Sequence, residues 1–346
     1  MIIAAVAVVV ALITVAITTR ACSSKPAAEV TAELTNRGDG VVQPRVRPVG
    51  QTHRHRAFAP MFLPPDKRTL GTSNCKWSYV RARAPMFQHE LLHSVHSTLK
   101  LFAARSNPAL SPATVLVMVN DFMTCIQAEA FRNDKALQHD VAAVAEYLWT
   151  SDQKHLVVNN MELCTVLNAV IRDDIAEEVQ AAAPIFRSIN IRRDARSRGG
   201  CSFNCNAYPA HGCTWRGGSF RDRFRDFFNG LKGKKYRVPG FLATSVKKAV
   251  AMGFASVADK NFPRARWRIR FDPRGDFNPN HRVKHMTFVK KTLIPGEGEY
   301  LFAPYSVFTL LSVKWSNKLD QPHKFTILAA NDNKKESEEL PLALWY

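Results

Sequence analysis

The sequence predicts an α+β protein in which an N-terminal helical lobe precedes a β-rich lobe. Three observations predict it. From about Cys75 to Ala183 apolar residues recur at helical spacing, and after Pro184 short β-branched and aromatic runs are separated by Gly, Pro, Asn and Asp. The third is composition: 346 residues that are 46% hydrophobic and 10% aromatic can bury a sizeable core, which rules out wholesale disorder. Sixteen Gly and 19 Pro occur without a period, so collagen-like sequence is excluded, and no segment recurs at solenoid spacing.

Met1 to Thr19 carries no charged side chain, and Ile2 to Ile17 is almost wholly Ile, Val, Ala and Leu. Such a run is about long enough to span a bilayer core. Residues 1–22 are therefore read as a signal peptide, cut after Ala21 or Ser23, or as a retained signal anchor, although a positive n-region is missing. Both readings predict a secreted or membrane-anchored protein, with membrane association through residues 1–19. Residues 23–74 are rich in Ala, Pro, Arg and Gly and read as a basic linker.

The helical lobe spans residues 75–183. Pro85 suits a first helical turn, with Phe87, Leu91, Val95, Thr98, Leu99 and Phe102 on one face. Ser111 as N-cap and Pro112 at the first helical position start a second helix through Val115, Leu116, Val119, Phe122, Met123 and Ile126. A third carries Val141, Val144, Tyr147 and Leu148. Asn160 introduces a fourth with Leu163, Val166, Leu167, Val170 and Ile171, and an Ala-rich helix follows Asp174. The core of the β-rich lobe, residues 184–330, contains strands at Cys213–Arg216, Trp267–Phe271, Met286–Val289, Tyr300–Phe302, Val307–Val313 and Phe325–Leu328. The tail, residues 331–346, is charged and expected to fray.

With 48 Lys+Arg against 29 Asp+Glu the net charge is +19, which attracts anions of every kind. The basic residues are scattered and carry no zinc-finger, basic-zipper or RNA-recognition signature, so no specific nucleic acid is predicted. Seven cysteines occur, and leaving aside Cys22 an even six remain, which suits disulfides of unresolved connectivity. Cys201, Cys205 and Cys213 with His211 also look like a zinc-ligand set, but their spacing matches no familiar zinc module, and no metal is expected.

Three segments carry candidate chemistry. Arg216 in Trp215-Arg-Gly-Gly218 puts a guanidinium at a strand end before two flexible residues, where it can grip a phosphate bidentately. Val238-Pro-Gly-Phe-Leu-Ala-Thr-Ser245 reads as a short strand ending in hydroxyl residues, followed by a helix from Val246 to Phe254. Glu297 and Glu299 lie two apart at the start of a strand, a spacing that places both carboxylates on one side of extended chain.

The order of these segments, over roughly Pro184 to Val313, resembles the arginine-type (R-S-E class) mono-ADP-ribosyltransferase family. Phe241-Leu-Ala-Thr-Ser245 looks like the family's Ser-Thr-Ser strand, and Glu299-Tyr-Leu-Phe-Ala-Pro-Tyr-Ser-Val-Phe308 looks like the segment that carries its catalytic glutamate. The resemblance implies a mixed, split β-sandwich core and transfer of ADP-ribose from NAD to a protein arginine with release of nicotinamide. It implies catalytic roles for Glu299, Glu297 and Arg216: Glu299 at the nicotinamide ribose, Glu297 on the acceptor guanidinium, and Arg216 on the NAD pyrophosphate and ribose. It places Arg216, Gly217, Phe241, Ala243, Thr244, Ser245 and Glu299 around NAD. Arg187 is the alternative first arginine. The main departure is Ala243 where the family has a serine that helps orient the catalytic glutamate; Thr244 or Ser245 would have to supply a substitute hydrogen bond. Two alternatives stay open: an NAD glycohydrolase with water as acceptor, and a catalytically weak basic binding protein on the same fold.

Overall fold

A computed structural model describes residues 69–73, 85–132, 140–194, 209, 212–257, 262–289, 294, 296–318 and 321–343. Five helices come first: α1 (Gln88–Ser106), α2 (Pro112–Arg132), α3 (Val141–Trp149), α4 (Leu163–Asp173) and α5 (Ala176–Asp194). Then follow β1 (Cys213–Ser219), α6 (Arg225–Gly230), β2 (Lys235–Val238), β3 (Leu242–Ser245), α7 (Lys248–Val257), β4 (Arg264–Arg270), β5 (Met286–Phe288), β6 (Glu299–Phe302), β7 (Ser306–Lys314) and β8 (His323–Ala329). The α+β order expected from the sequence is the order observed.

Periodicity explains the helices. In α1, Leu91, Val95, Leu99 and Phe102 fall on one stripe and are buried, while Phe87 stays outside the helix, 56% exposed. Pro85 precedes α1 instead of sitting in its first turn; Glu90 closes that end by accepting the Met86 N–H at 2.8 Å. The Ser111-Pro112 start holds, with the Thr114 N–H donating to Ser111 Oγ at 3.1 Å. In α3 the cap is Asp140, which accepts from the Ala143 N–H at 3.1 Å. Glu162, not Asn160, precedes α4.

The strands form one mixed eight-stranded sheet in the order β2-β7-β8-β4-β1-β3-β6-β5, parallel only between β4 and β8. One residue pair, Trp215 with Ser245, joins β1 to β3 and divides the sheet into a five-stranded and a three-stranded part. The parts pack face to face through aromatic residues: Phe302 lies 5.2 Å from Phe308 and 6.1 Å from Phe271. The other face of β3 and β6 joins the helical core, where Phe241 and Leu301 meet Trp149, Phe186 and Val170. Strand alternation thus sends Leu242, Tyr300 and Phe302 into the sandwich, and Ala243 and Leu301 towards the helices.

The single strand expected over Val238–Ser245 is two strands in different places: β2 at one edge beside β7, and β3 between β1 and β6. Pro239 and Gly240 sit at the change of direction. The tail does not fray over its described part. The buried Arg237 guanidinium donates to the carbonyls of Tyr305 (2.9 Å), Glu336 (2.8 Å) and Ser337 (2.9 Å), and Leu342 is buried.

Gly217 has a packing reason. A Cβ there would lie 1.7 Å from the Ala251 carbonyl oxygen, because α7 crosses directly over β1. Gly217→Ala should therefore cost about 3 kcal/mol or more, read as a fall in Tm of the full chain, whereas Gly253→Ala, with open space around it, should not.

Two expectations are corrected. Cys125, Cys164 and Cys213 are free thiols, not disulfide partners, while Cys22, Cys75, Cys201, Cys205 and His211 lie outside the described residues. The secreted or membrane-anchored localisation is not upheld: among the described residues no helix is long and apolar enough to cross a membrane. The segment 1–22 behind that expectation lies outside them, as does the linker up to residue 68.

Candidate functional site

The site lies where the two parts of the sheet meet. Register sets Trp215 beside Ser245, and Ser245 beside Glu299, so three strands bring these residues into one row. On β1, Trp215 and Gly217 point to the α7 side and Arg216 to the opposite side, from which its Nη1 donates to the Ala243 carbonyl at 2.9 Å. Among the described residues the other guanidinium N–H groups of Arg216 meet no acceptor, so they remain available to an anion.

The turn before β6 is shaped by Gly296 (φ 87°) and Gly298 (φ 59°), which present Glu297 between them. Side chains from the end of β3 and the link to α7 hold this turn. The Ser245 hydroxyl donates to the Glu297 carbonyl and accepts from the Lys247 N–H at 2.9 Å, and Lys247 Nζ donates to the Gly296 carbonyl. The Thr244 hydroxyl donates to the Tyr300 carbonyl at 2.9 Å. Neither hydroxyl is therefore the substitute for the serine missing at Ala243.

Glu299 is met instead by an indole. Trp149, the last residue of α3, donates from Nε1 to Glu299 Oε1 at 3.3 Å. Ala243 and Glu299 are diagonal neighbours on the face of β3 and β6 that looks towards the helices, so Trp149 reaches the carboxylate from the side on which a serine at 243 would stand. Trp149 is held by Phe241, their rings 5.0 Å apart, and Phe241 by Asn168 of α4. The Asn168 amide accepts from the Phe241 N–H at 2.8 Å and donates to its carbonyl at 3.3 Å.

Burial pushes the Glu299 carboxyl up to about 7. The Trp149 N–H pulls it down, the charge of Glu297 raises it, Arg216 lowers it, and the buried Glu146 one turn back on α3 raises it again. Glu297 is also raised, by burial alone. Cys164, at the start of α4, is pushed up to about 12, chiefly by burial, with Glu162 and Glu299 adding to it, so its thiol stays protonated.

No family model matches the chain, and no curated protein matches it. Among solved structures it is similar to the Vis toxin, an ADP-ribosyltransferase from Vibrio splendidus, at 16% identity over 64% of this chain and 87% of that one, with a TM-score of 0.35. It is also similar to the ADP-ribosyltransferase HopU1 of Pseudomonas syringae pv. tomato DC3000 (15% identity, 68% and 96% covered, TM-score 0.38). A third is C3stau2 from S. aureus, solved with NAD (13% identity, 62% and 95% covered, TM-score 0.35). Two of the three are ADP-ribosyltransferases by name. At such TM-scores no residue role is carried over from them, and the chemistry rests on the side chains themselves.

Of the residues singled out in the sequence, Arg216, Ala243, Thr244, Ser245, Glu297 and Glu299 come together, and Phe241 lies beneath them against Trp149. Gly217 is turned to α7. Arg187 lies in α5. Trp149 and Asn168 are missed by sequence reasoning because they sit in helical stripes that look like ordinary core. Their one signal is a polar atom on each apolar face, which a buried position obliges to find a partner.

Proposed function

We propose that this protein is an NAD-dependent protein-arginine mono-ADP-ribosyltransferase. The observation that carries the reading is the half-buried Glu299 at the sheet junction, with Glu297 two residues before it and Arg216 two strands away on β1. That constellation suits cleavage of the bond between nicotinamide and ribose, which builds positive charge on the sugar. An ionised Glu299 beneath the sugar stabilises that charge in a site where water screens it poorly. The free donors of Arg216 suit the pyrophosphate. Glu297, partly exposed and raised by burial, suits an acceptor guanidinium that must lose a proton as it attacks.

The test uses the purified full chain, labelled NAD and a small guanidine acceptor, with nicotinamide release and adduct formation followed separately. Both products are expected. Nicotinamide without adduct would make the enzyme a glycohydrolase, and neither product from folded protein would overturn the reading.

Trp149 offers a finer check. Trp149→Phe keeps the ring against Phe241 but removes the donor. A hydrogen bond to a charged group contributes roughly 1.5–3 kcal/mol, so kcat/KM should fall about 10- to 100-fold. Because the N–H favours the ionised carboxylate, its loss should also move the acidic limb of the pH profile above about 7. Adding Ala243→Ser to that variant should recover part of the rate. A fall in rate with the limb unmoved would mean that Trp149 only packs.

A further inference from the structure

The outer face of the five-stranded part carries an array of cations with no counterpart in the reaction. In β4 the residues Ala265, Trp267 and Ile269 enter the sandwich core, so Arg264, Arg266, Arg268 and Arg270 stand on the opposite face. Alternate residues of a strand are roughly 6.7 Å apart, so the four guanidinium groups form a ladder about 20 Å long. Strand pairing sets Lys324 of β8 beside Arg266, and Lys314 of β7 beside Lys324. Like charges placed opposite one another in a sheet destabilise it.

Acids that could neutralise this ladder are lacking among the described residues of the face. No Asp or Glu occurs in β1, β4, β7 or β8. Among the described residues the four arginines have no ion-pair partner. Arg266 and Arg268 instead stack with Lys248 around the Trp215 ring, at 5.4, 5.5 and 5.6 Å from its centre. The acids that share a cavity with Arg270 are already paired: Asp272 with Arg274, Asp332 with Lys284 and Glu336 with Lys235. At the Arg270 end the face opens into this cavity, of about 830 Å³, whose walls include Arg270, Arg274 and Lys335.

We propose that this face docks the phosphodiester backbone of a nucleic acid, without reading its sequence. A repeating line of phosphates is the chemistry that a repeating line of guanidinium forks matches, because each fork takes a phosphate bidentately. A membrane fits less well, since β1, β4, β7 and β8 carry no large exposed apolar side chain and α7, which crosses β1 on this face, exposes only Phe254, whereas a basic surface that holds a bilayer usually inserts several. The Trp215 ring, already stacked with cations, serves to fix the arginines and not to stack bases. Register puts Arg268, Trp215, Ser245 and Glu299 in one row, but the ladder variants leave Arg216, Glu297 and Glu299 in place, so docking and the proposed NAD chemistry are read separately.

The test is binding of the full chain to a fluorescent duplex of random sequence about 20 base pairs long across a salt series, with log K expected to fall by roughly 0.9 per decade of salt for each phosphate neutralised. Arg266→Gln/Arg268→Gln/Arg270→Gln should weaken binding at least tenfold and flatten that slope by about two to three. Arg270→Gln/Lys324→Gln, which leaves the Trp215 stack intact, should weaken it several-fold should the triple variant fold poorly. The control Lys100→Gln/Lys232→Gln/Lys234→Gln removes the same charge elsewhere and should change binding little. The proposal is overturned if that control weakens binding as much as the ladder variant, if the duplex is not bound, or if phosphatidylserine vesicles or polyglutamate bind more tightly than the duplex through the same arginines.

Discussion

Glu299→Gln is expected to lose both nicotinamide release and adduct formation, by on the order of 10³-fold or more, while the protein stays folded. The amide keeps the volume and still offers an oxygen to the Trp149 N–H, so the change removes little except the charge. Thermal stability gives a second readout. Burial raises Glu299 from its ordinary 4.5 to about 7, so the folded state prefers its neutral form. That preference stabilises the fold fully below the unfolded value and is lost as pH rises through about 7, where the carboxylate must ionise in place. The Gln variant, always neutral, should therefore melt higher than the wild type at pH 8, by on the order of 1–3 kcal/mol, with the gap closing towards pH 4. Full activity in this variant would overturn the assignment of Glu299, and a Tm difference independent of pH would overturn its ionisation in the folded state.

Glu297→Gln should split the two products. Transfer to the guanidine acceptor should fall by about 100-fold or more, because in the proposed reaction the acceptor loses the group that takes its proton. Nicotinamide release should persist in part, since Glu299 and Arg216 are untouched. Placement makes the separation possible: Glu297 sits in the turn between Gly296 and Gly298, outside the β3–β6 register that holds Glu299. A weaker like-charge contact should also leave Glu299 ionising more easily, so the residual hydrolysis should extend to lower pH. Measuring the ratio of adduct to free ADP-ribose checks this. Equal losses of both products would show that Glu297 serves the cleavage step itself.

Much of this site is legible in the amino-acid sequence. Arg216, the Ala243–Ser245 hydroxyl run and the two glutamates can be found because each lies in a short, compositionally distinct segment, and because strand alternation alone says which of them share a face. Trp149 is not legible. A tryptophan at the end of an apolar helix carries the same signal whether it fills a core or donates to a carboxylate, and 150 residues separate it from Glu299. The division of Val238–Ser245 is hidden for a related reason: Pro239 and Gly240 mark a change of direction but say nothing of where each half pairs.

Local chemistry determined the elements themselves: apolar stripes at helical spacing, the Ser111-Pro112 start, and the Arg-alternating β4 whose even positions must face away from the core. Only the tertiary structure decided which strands are neighbours, that a single pair, Trp215 with Ser245, joins the two parts of the sheet, and that α3 delivers an indole to Glu299. The physical reason is range. Backbone and side-chain preferences act over a few residues, while register and the burial that raises Glu299 arise when surfaces far apart in the chain are pressed together by packing.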